Sequence, residues 1–257
     1  MDGLVLGLYL LATFLGGLTT GVAGFAMGLV VSGIWLHIIT PAQTAALIVL
    51  YTLLTQSYSI WKLRHALDWR KLVPFVISGA VGVPIGTFLL TYIDPDHMRV
   101  GIGVLLVIFS AYNLARPSFK PVQGNVPADA GVGFFNGLLG GLTGLGGIIV
   151  TVWCQLRGWP RDVQRAVFQP VILASGIVTV ASFGFAGVIT TETLKLYVMG
   201  IPTLAAGLWI GFKLYGKLDD AAFRKIVLWL LLVSGGSLVL PQAMAFGTGI
   251  AHALSQQ

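Results

Sequence analysis

The chain has 257 residues, 56% of them hydrophobic and only 9% charged, where a soluble domain carries about 25% charged residues. With a mean hydropathy of +0.89, most of its surface faces something other than water, which excludes soluble enzyme folds. The net charge of +6 comes without a long basic run, so it does not point to nucleic acid, and the single cysteine, Cys154, excludes an intrachain disulfide or a CxxC site.

Taken in chain order, the apolar runs describe a polytopic membrane protein. Residues 3–39 are almost uninterrupted apolar sequence, broken by Gly21-Val22-Ala23-Gly24. At 1.5 Å per residue this run is roughly 55 Å long, too long for one crossing, so it reads as a pair of short helices around a break. No basic segment follows Met1-Asp2, so no cleaved signal peptide is expected. Runs of crossing length follow at 41–61, 72–92 and 98–115. The polar, proline-rich stretch 116–127 reads as a linker. Residues 128–157 form a second long run, interrupted at Gly144-Leu145-Gly146-Gly147, and 166–186, 193–212 and 226–241 read as further crossings. Residues 242–257 are left as a tail.

Thirteen of the fifteen Lys and Arg residues fall in four connections, around 62–71, 116–120, 157–165 and 213–225. The connections at 93–97 and 187–192 hold Asp94, Asp96 and Glu192 instead. Cytoplasmic loops collect Lys and Arg, and all four basic connections lie on one side only if each broken run enters and leaves on the same side. That places both termini in the periplasm.

The halves 1–115 and 128–241 resemble each other. Gly17, Gly21 and Gly24 match Gly137, Gly141 and Gly144 at an offset of 120; Gly79 and Gly86 match Gly200 and Gly207 at 121; Ile93-Asp94 matches Leu218-Asp219 at 125. Each half holds an odd number of crossings, so the expected fold is all-α with two inverted repeats. Each repeat has a broken or re-entrant helix pair plus three full transmembrane helices. Interrupted helices in corresponding positions of two halves point to a transporter site near the midplane.

A glycine break lets a ligand approach the backbone, and the helix restarting after it offers free N–H groups to an anion. Gly17, Gly21, Gly137 and Gly141 fit close helix packing equally well. Gly144, Gly146 and Gly147 cluster too tightly for one helix face. The candidate substrate-binding residues are therefore Gly24 and Phe25 at the first break and Thr143, Gly144, Gly146 and Gly147 at the second. Gln56, Gln155 and Gln169 join them, each of which either bonds a neighbouring helix or a substrate oxygen. No Asp or Glu falls at the centre of a crossing, and His37, His65, His97 and His252 lack metal-ligand spacing. No nucleotide-binding or hydrolase motif is present, so neither a catalytic residue, a metal nor a cofactor is expected.

Several stretches together are similar to the sulfite exporter TauE/SafE family. They are Thr40-Pro41-Ala42-Gln43-Thr44-Ala45-Ala46, Leu63 to Arg70, Gly79 to Gly86, Gly137 to Gly147, and Gly200 to Gly207. The resemblance implies a bacterial inner-membrane secondary transporter for a small sulfur-containing anion of the sulfite, sulfonate, sulfoacetate or thiosulfate class. Export is the usual direction in that family, and rocking of one repeat or hairpin against the other would give alternating access. A coupling ion, proton or sodium, and a homodimer are compatible with it. The first break lacks the family's glycine triplet, and Gln169 stands where a small hydroxyl residue is common. A channel-like anion facilitator and a non-transporting membrane scaffold subunit are the alternatives.

Overall fold

The computed structural model describes residues 2–23, 26–63, 69–115, 121–214, 225, 228–229 and 231–240. Regular structure among these is helical: α1 (Gly3–Ala23), α2 (Met27–Ile38), α3 (Pro41–Leu63), α4 (Trp69–Tyr92), α5 (Pro95–Ala115), α6 (Val126–Thr143), α7 (Ile148–Leu156), α8 (Arg161–Phe185) and α9 (Thr191–Leu214). A tenth, α10, spans Leu231–Leu240. The chain is an all-helical polytopic membrane protein, as expected where no water is at hand to satisfy backbone polar groups. Helices α1, α4, α5, α8 and α9 are long and apolar enough to cross a bilayer. Down the outer face of α4, Ile77, Val81 and Phe88 are 63%, 57% and 61% exposed, a stripe that suits lipid rather than water. Helix α3 has 23 residues, enough to span, but Gln43, Thr44, Thr52, Thr55 and Gln56 dilute its apolar character.

Local chemistry sets the helix starts. Thr40 and Gln43 form a capping box before α3: the Gln43 N–H donates to Thr40 Oγ1 and the Thr40 N–H to Gln43 Oε1, both at 3.2 Å. Pro41 and Pro95 occupy first helical positions, where no N–H is needed. Asn125 accepts the Ala128 N–H at 3.0 Å, which starts α6 at Val126, inside the stretch read from sequence as linker. Residues 116–120 of that linker and the tail 242–257 lie outside the described residues.

Both long apolar runs fold as helical hairpins. In the first, Trp35 Nε1 donates to the Tyr9 carbonyl at 3.4 Å, and Met27 and Val31 pack over Gly16. In the second, Trp153 Nε1 donates to Asp129 at 2.8 Å and the Gly147 N–H to Asn136 Oδ1 at 2.9 Å. The hairpins open toward opposite ends of the bundle. The mouth of α1–α2 lies where α5 and α9 begin: Arg99 Nε donates to the Leu36 carbonyl at 3.1 Å and the Tyr9 hydroxyl to the Leu196 carbonyl at 2.9 Å. We call this the upper end. The mouth of α6–α7 lies at the lower end, where α4 and α8 begin and Lys71 stands over the Trp159 ring.

The most extensive helix contacts join the two halves, α4 against α6 and α1 against α9. Glycine makes both possible. A β-carbon on Gly17 would stand 2.6 Å from the Leu204 carbonyl oxygen, and one on Gly141 would stand 2.9 Å from the Thr87 nitrogen. The packing reading of Gly17, Gly21, Gly137 and Gly141 therefore describes them well. The contacts are reciprocal: Gly82 faces Phe134 and Leu138 as Gly207 faces Phe14 and Leu18, and Gly86 faces Leu138 as Gly211 faces Leu18. This corrects the glycine match drawn from sequence. Gly82 and Gly86 correspond to Gly207 and Gly211 at an offset of 125, whereas Gly200 faces the Tyr51 hydroxyl. Between these pairs α3 crosses α8, with Leu53 against Gly176.

Candidate functional site

The tips of the two hairpins meet in the middle of the bundle. Between them is a cavity of about 50 Å³, room for a few waters at roughly 10–15 Å³ each. The first tip contributes Ala26, Met27 and Gly28, the second Gly144 through Ile148. Helix α3 adds Ile48, Thr52, Thr55 and Gln56, and α8 adds Ile172.

Each tip is built by unusual backbone. Helix α6 ends on Gly144 at φ 74°, whose N–H closes back on the Gly140 carbonyl, and α7 starts after Gly147 at φ 140°. Both angles lie where side chains are strained. Close approach adds a second requirement at Gly144, since a β-carbon there would stand 2.5 Å from the Ala45 carbonyl oxygen. At the first tip Ala26 takes φ 84° without being glycine, at the residue preceding α2.

The expected site residues separate into four groups. Gln56, Gly144, Gly146 and Gly147 line the cavity. Thr143 and Gln169 lie close to it. The Thr143 hydroxyl donates to the Leu139 carbonyl at 2.8 Å and accepts the Leu145 N–H at 3.1 Å, so it secures the turn. Gln169 is 2% exposed, with an Oε1 that meets no partner among the described residues; it sits one turn along α8 from Ile172. Gln155 is half-buried in the last turn of α7, at the wide end of the hairpin, and is not among the cavity-lining residues. Gly24 and Phe25 lie outside the described residues.

Two features lie outside the expected site residues. Asn136, fully buried on α6, accepts the Gly147 N–H at 2.9 Å and reaches the Val150 nitrogen at 3.4 Å. It thereby caps α7 from the neighbouring helix. The N–H groups of Ile148 and Ile149, in the same first turn of α7, have no intrahelical partner. The second feature is an aromatic cluster of Tyr9, Trp35, Tyr51 and Tyr197. Tyr9 stacks on Trp35 at 5.2 Å and Tyr51 lies 4.9 Å from Tyr197. The hydroxyls of Tyr9 and Tyr51 are 2.8 Å apart; Tyr9 donates to the Leu196 carbonyl at 2.9 Å and Tyr51 to that of Tyr197 at 2.9 Å. Tyr9, Trp35 and Tyr51 are fully buried. The signal available in the sequence was a set of tyrosines inside apolar helices, whose hydroxyls need partners there.

The cluster stands between two spaces. On one side Ile48 and Thr52, flanking Tyr51 on α3, line the central cavity. On the other, Leu6, Ile39 and Leu196 line a wide vestibule of about 730 Å³ at the upper end. At the lower end Asp129 accepts Trp153 Nε1 and lies 3.4 Å from Arg157, whose guanidinium stacks 4.9 Å from the Trp159 ring. This group ties the mouth of the second hairpin together.

Among the described residues, no charged side chain lines the central cavity, and no His, Cys, Asp and Glu gather as a metal site. The start of α7 and Gln56 lie at the cavity, and a helix start favours an anion through its N–H groups and dipole.

No curated protein and no solved structure matches the chain. The family model described as sulfite exporter TauE/SafE matches residues 9–238, a stretch that contains both hairpins, both tips and the helices that close the cavity. The chain belongs to the sulfite exporter TauE/SafE family, whose members are membrane transporters of sulfur-containing anions.

Proposed function

We propose that this chain is a secondary transporter that holds one small sulfur-containing anion between the hairpin tips and exports it by alternating access. One observation carries the reading: two helix breaks, from hairpins opening at opposite ends, converge on an uncharged cavity lined by Gln56 and by Gly144 to Ile148. An anion there is held by dipoles rather than by a fixed opposite charge, so it can leave again. The reciprocal pairing of α4 with α6 and α1 with α9 supports reading the halves as inverted repeats that rock against each other. Lys and Arg dominance of the lower-end connections supports a bacterial inner-membrane orientation with that end cytoplasmic. The cavity size favours sulfite-sized anions over longer sulfonates. The closed tyrosine cluster speaks against a standing channel.

Counterflow in proteoliposomes tests this. Vesicles preloaded with one unlabelled anion at a time, from sulfite, thiosulfate, sulfoacetate, taurine, sulfate and acetate, are given its labelled form. Saturable accumulation of a sulfur oxyanion but not acetate is expected, and Gln56→Leu lowers its apparent affinity. Flux that stays linear with concentration would sink the carrier reading and favour a facilitator. Repeating the assay with imposed proton and sodium gradients identifies the coupling ion.

A further inference from the structure

Two of the fifteen basic residues escape the cytoplasmic bias, Arg99 and Lys195. They come from different halves of the chain, yet both line the upper vestibule of about 730 Å³. The geometry points to a second anion site there, for an oxyanion such as a sulfonate, sulfite or phosphate group, separate from the cavity between the tips.

Two acids at this end belong to the start of α5, one of them paired with Arg99 itself. Asp96 pairs with Arg99 at 2.7 Å, and Asp94 accepts the Asp96 N–H at 2.8 Å and faces His97 at 3.6 Å. Glu192 also lines the vestibule, one turn from Lys195 on α9. Among the described residues, Lys195 pairs with no carboxylate within 4.0 Å. Arg99 spends N–H groups on the Leu36 carbonyl and on Asp96, which leaves further donors of its five. Gln43 spends its Oε1 on Thr40, so its amide N–H₂ is available to a ligand. The result is an open concavity that presents an ammonium, a guanidinium shared with Asp96 and an amide over the sealed Tyr9–Tyr51 cluster, with Glu192 also in its lining. Charged donors bind an oxyanion more strongly than neutral ones do.

The vestibule's part as a station on the export route rests on the transport reading above; its affinity for an oxyanion does not. Equilibrium dialysis of the purified full chain in detergent, with radiolabelled sulfite as the probe, separates the two. Two classes of site are expected. Lys195→Gln should weaken one class by roughly three- to tenfold, as loss of a charge-assisted contact does. Lys195→Arg should restore that class, raised salt should weaken it, and Gln56→Leu should affect only the other. Titrations of Lys195→Gln and wild type that superimpose would overturn the vestibule site, whatever Gln56→Leu does. If instead Gln56→Leu leaves binding unchanged while Lys195→Gln does not, the tip cavity loses its assignment and the vestibule keeps its own. A further arm adds phosphatidylglycerol or phosphatidylcholine to the micelles. Unchanged binding in both is the result expected for a free anion. Loss of the Lys195-dependent class with phosphatidylglycerol alone would overturn the free anion and make a lipid phosphate the occupant.

Discussion

A left-handed backbone at Gly144 and a carbonyl pressed against its α-carbon make two independent demands for glycine at one position. An alanine there pays about 1–2 kcal/mol for the conformation and must also push back the Ala45 carbonyl, 2.5 Å from where its β-carbon would stand. Gly146 carries neither demand: its nearest neighbour would be the Gly140 α-carbon at 3.3 Å, and its φ is not positive. Thermal unfolding in detergent should therefore show Gly144→Ala melting well below Gly146→Ala. Equal melting temperatures would mean that the tip is looser than this geometry. Gly146→Ala is thus the cleaner glycine variant for transport. The cluster Gly144-Leu145-Gly146-Gly147 was legible because three glycines in four residues suit no helix face. Ala26 at φ 84° was not, because a residue type that tolerates a strained angle leaves no trace in composition. Thr143 looked like a ligand by type, but a threonine in the last turn of a helix bonds back to its own carbonyls.

At the scale of the element, a nine-residue helix such as α7 is too short to hold its own ends in lipid, so its capping comes from outside. Asn136 supplies it, and Asn136→Ala leaves the Gly147 N–H buried without a partner at a cost of about 1–3 kcal/mol. Hydrogen exchange read by mass spectrometry should show faster exchange across α7 in this variant with α1–α2 unchanged. Uniform protection in both hairpins would remove Asn136 from its capping role. The start of α5 responds to pH instead. The Asp96 N–H bond, with His97 adding less, holds the exposed Asp94 carboxyl below its usual value of 3.8. A depressed folded pKa contributes stability that is complete above the unfolded value and lost as pH falls through the folded one. Exchange of the first α5 turn should thus quicken as pH falls below about 4, and Asp94→Asn, a cap without a titrating group, should flatten that rise. An unaltered profile in the variant would assign the acid response to another group. The hairpins were visible in the sequence as apolar runs too long for one crossing. The capping partner was not, because Asn136 and Gly147 meet only across the fold.

Across the whole molecule, the symmetric contacts and the off-centre seal point to one closed end. The resemblance of the halves was readable from slowly drifting glycine matches, although the reciprocal register of α4 and α9 came only from which backbones touch. The seal was unreadable, since Tyr9, Tyr51 and the carbonyls of Leu196 and Tyr197 come from three helices far apart in the chain. These hydroxyl bonds join α1, α3 and α9 between the central cavity and the upper vestibule. Each such bond is worth about 0.5–1.5 kcal/mol net, so Tyr51→Phe, which keeps the ring, should shift the balance toward an upward-open form by roughly tenfold. Thr52, half-buried beside Tyr51 and lining the cavity, is the reporter. In a Thr52→Cys background, with Cys154 fully buried, a membrane-impermeant thiol reagent added outside right-side-out vesicles should label slowly. Adding Tyr51→Phe should speed that labelling and leave labelling from the inside slower or unchanged. Rapid outside labelling of Thr52→Cys alone would show that the cluster is no barrier. Slow labelling that Tyr51→Phe does not change would show that the barrier resides in packing rather than in the hydroxyl bonds. The expected acceleration makes the cluster the upper gate of the same cavity the hairpin tips define.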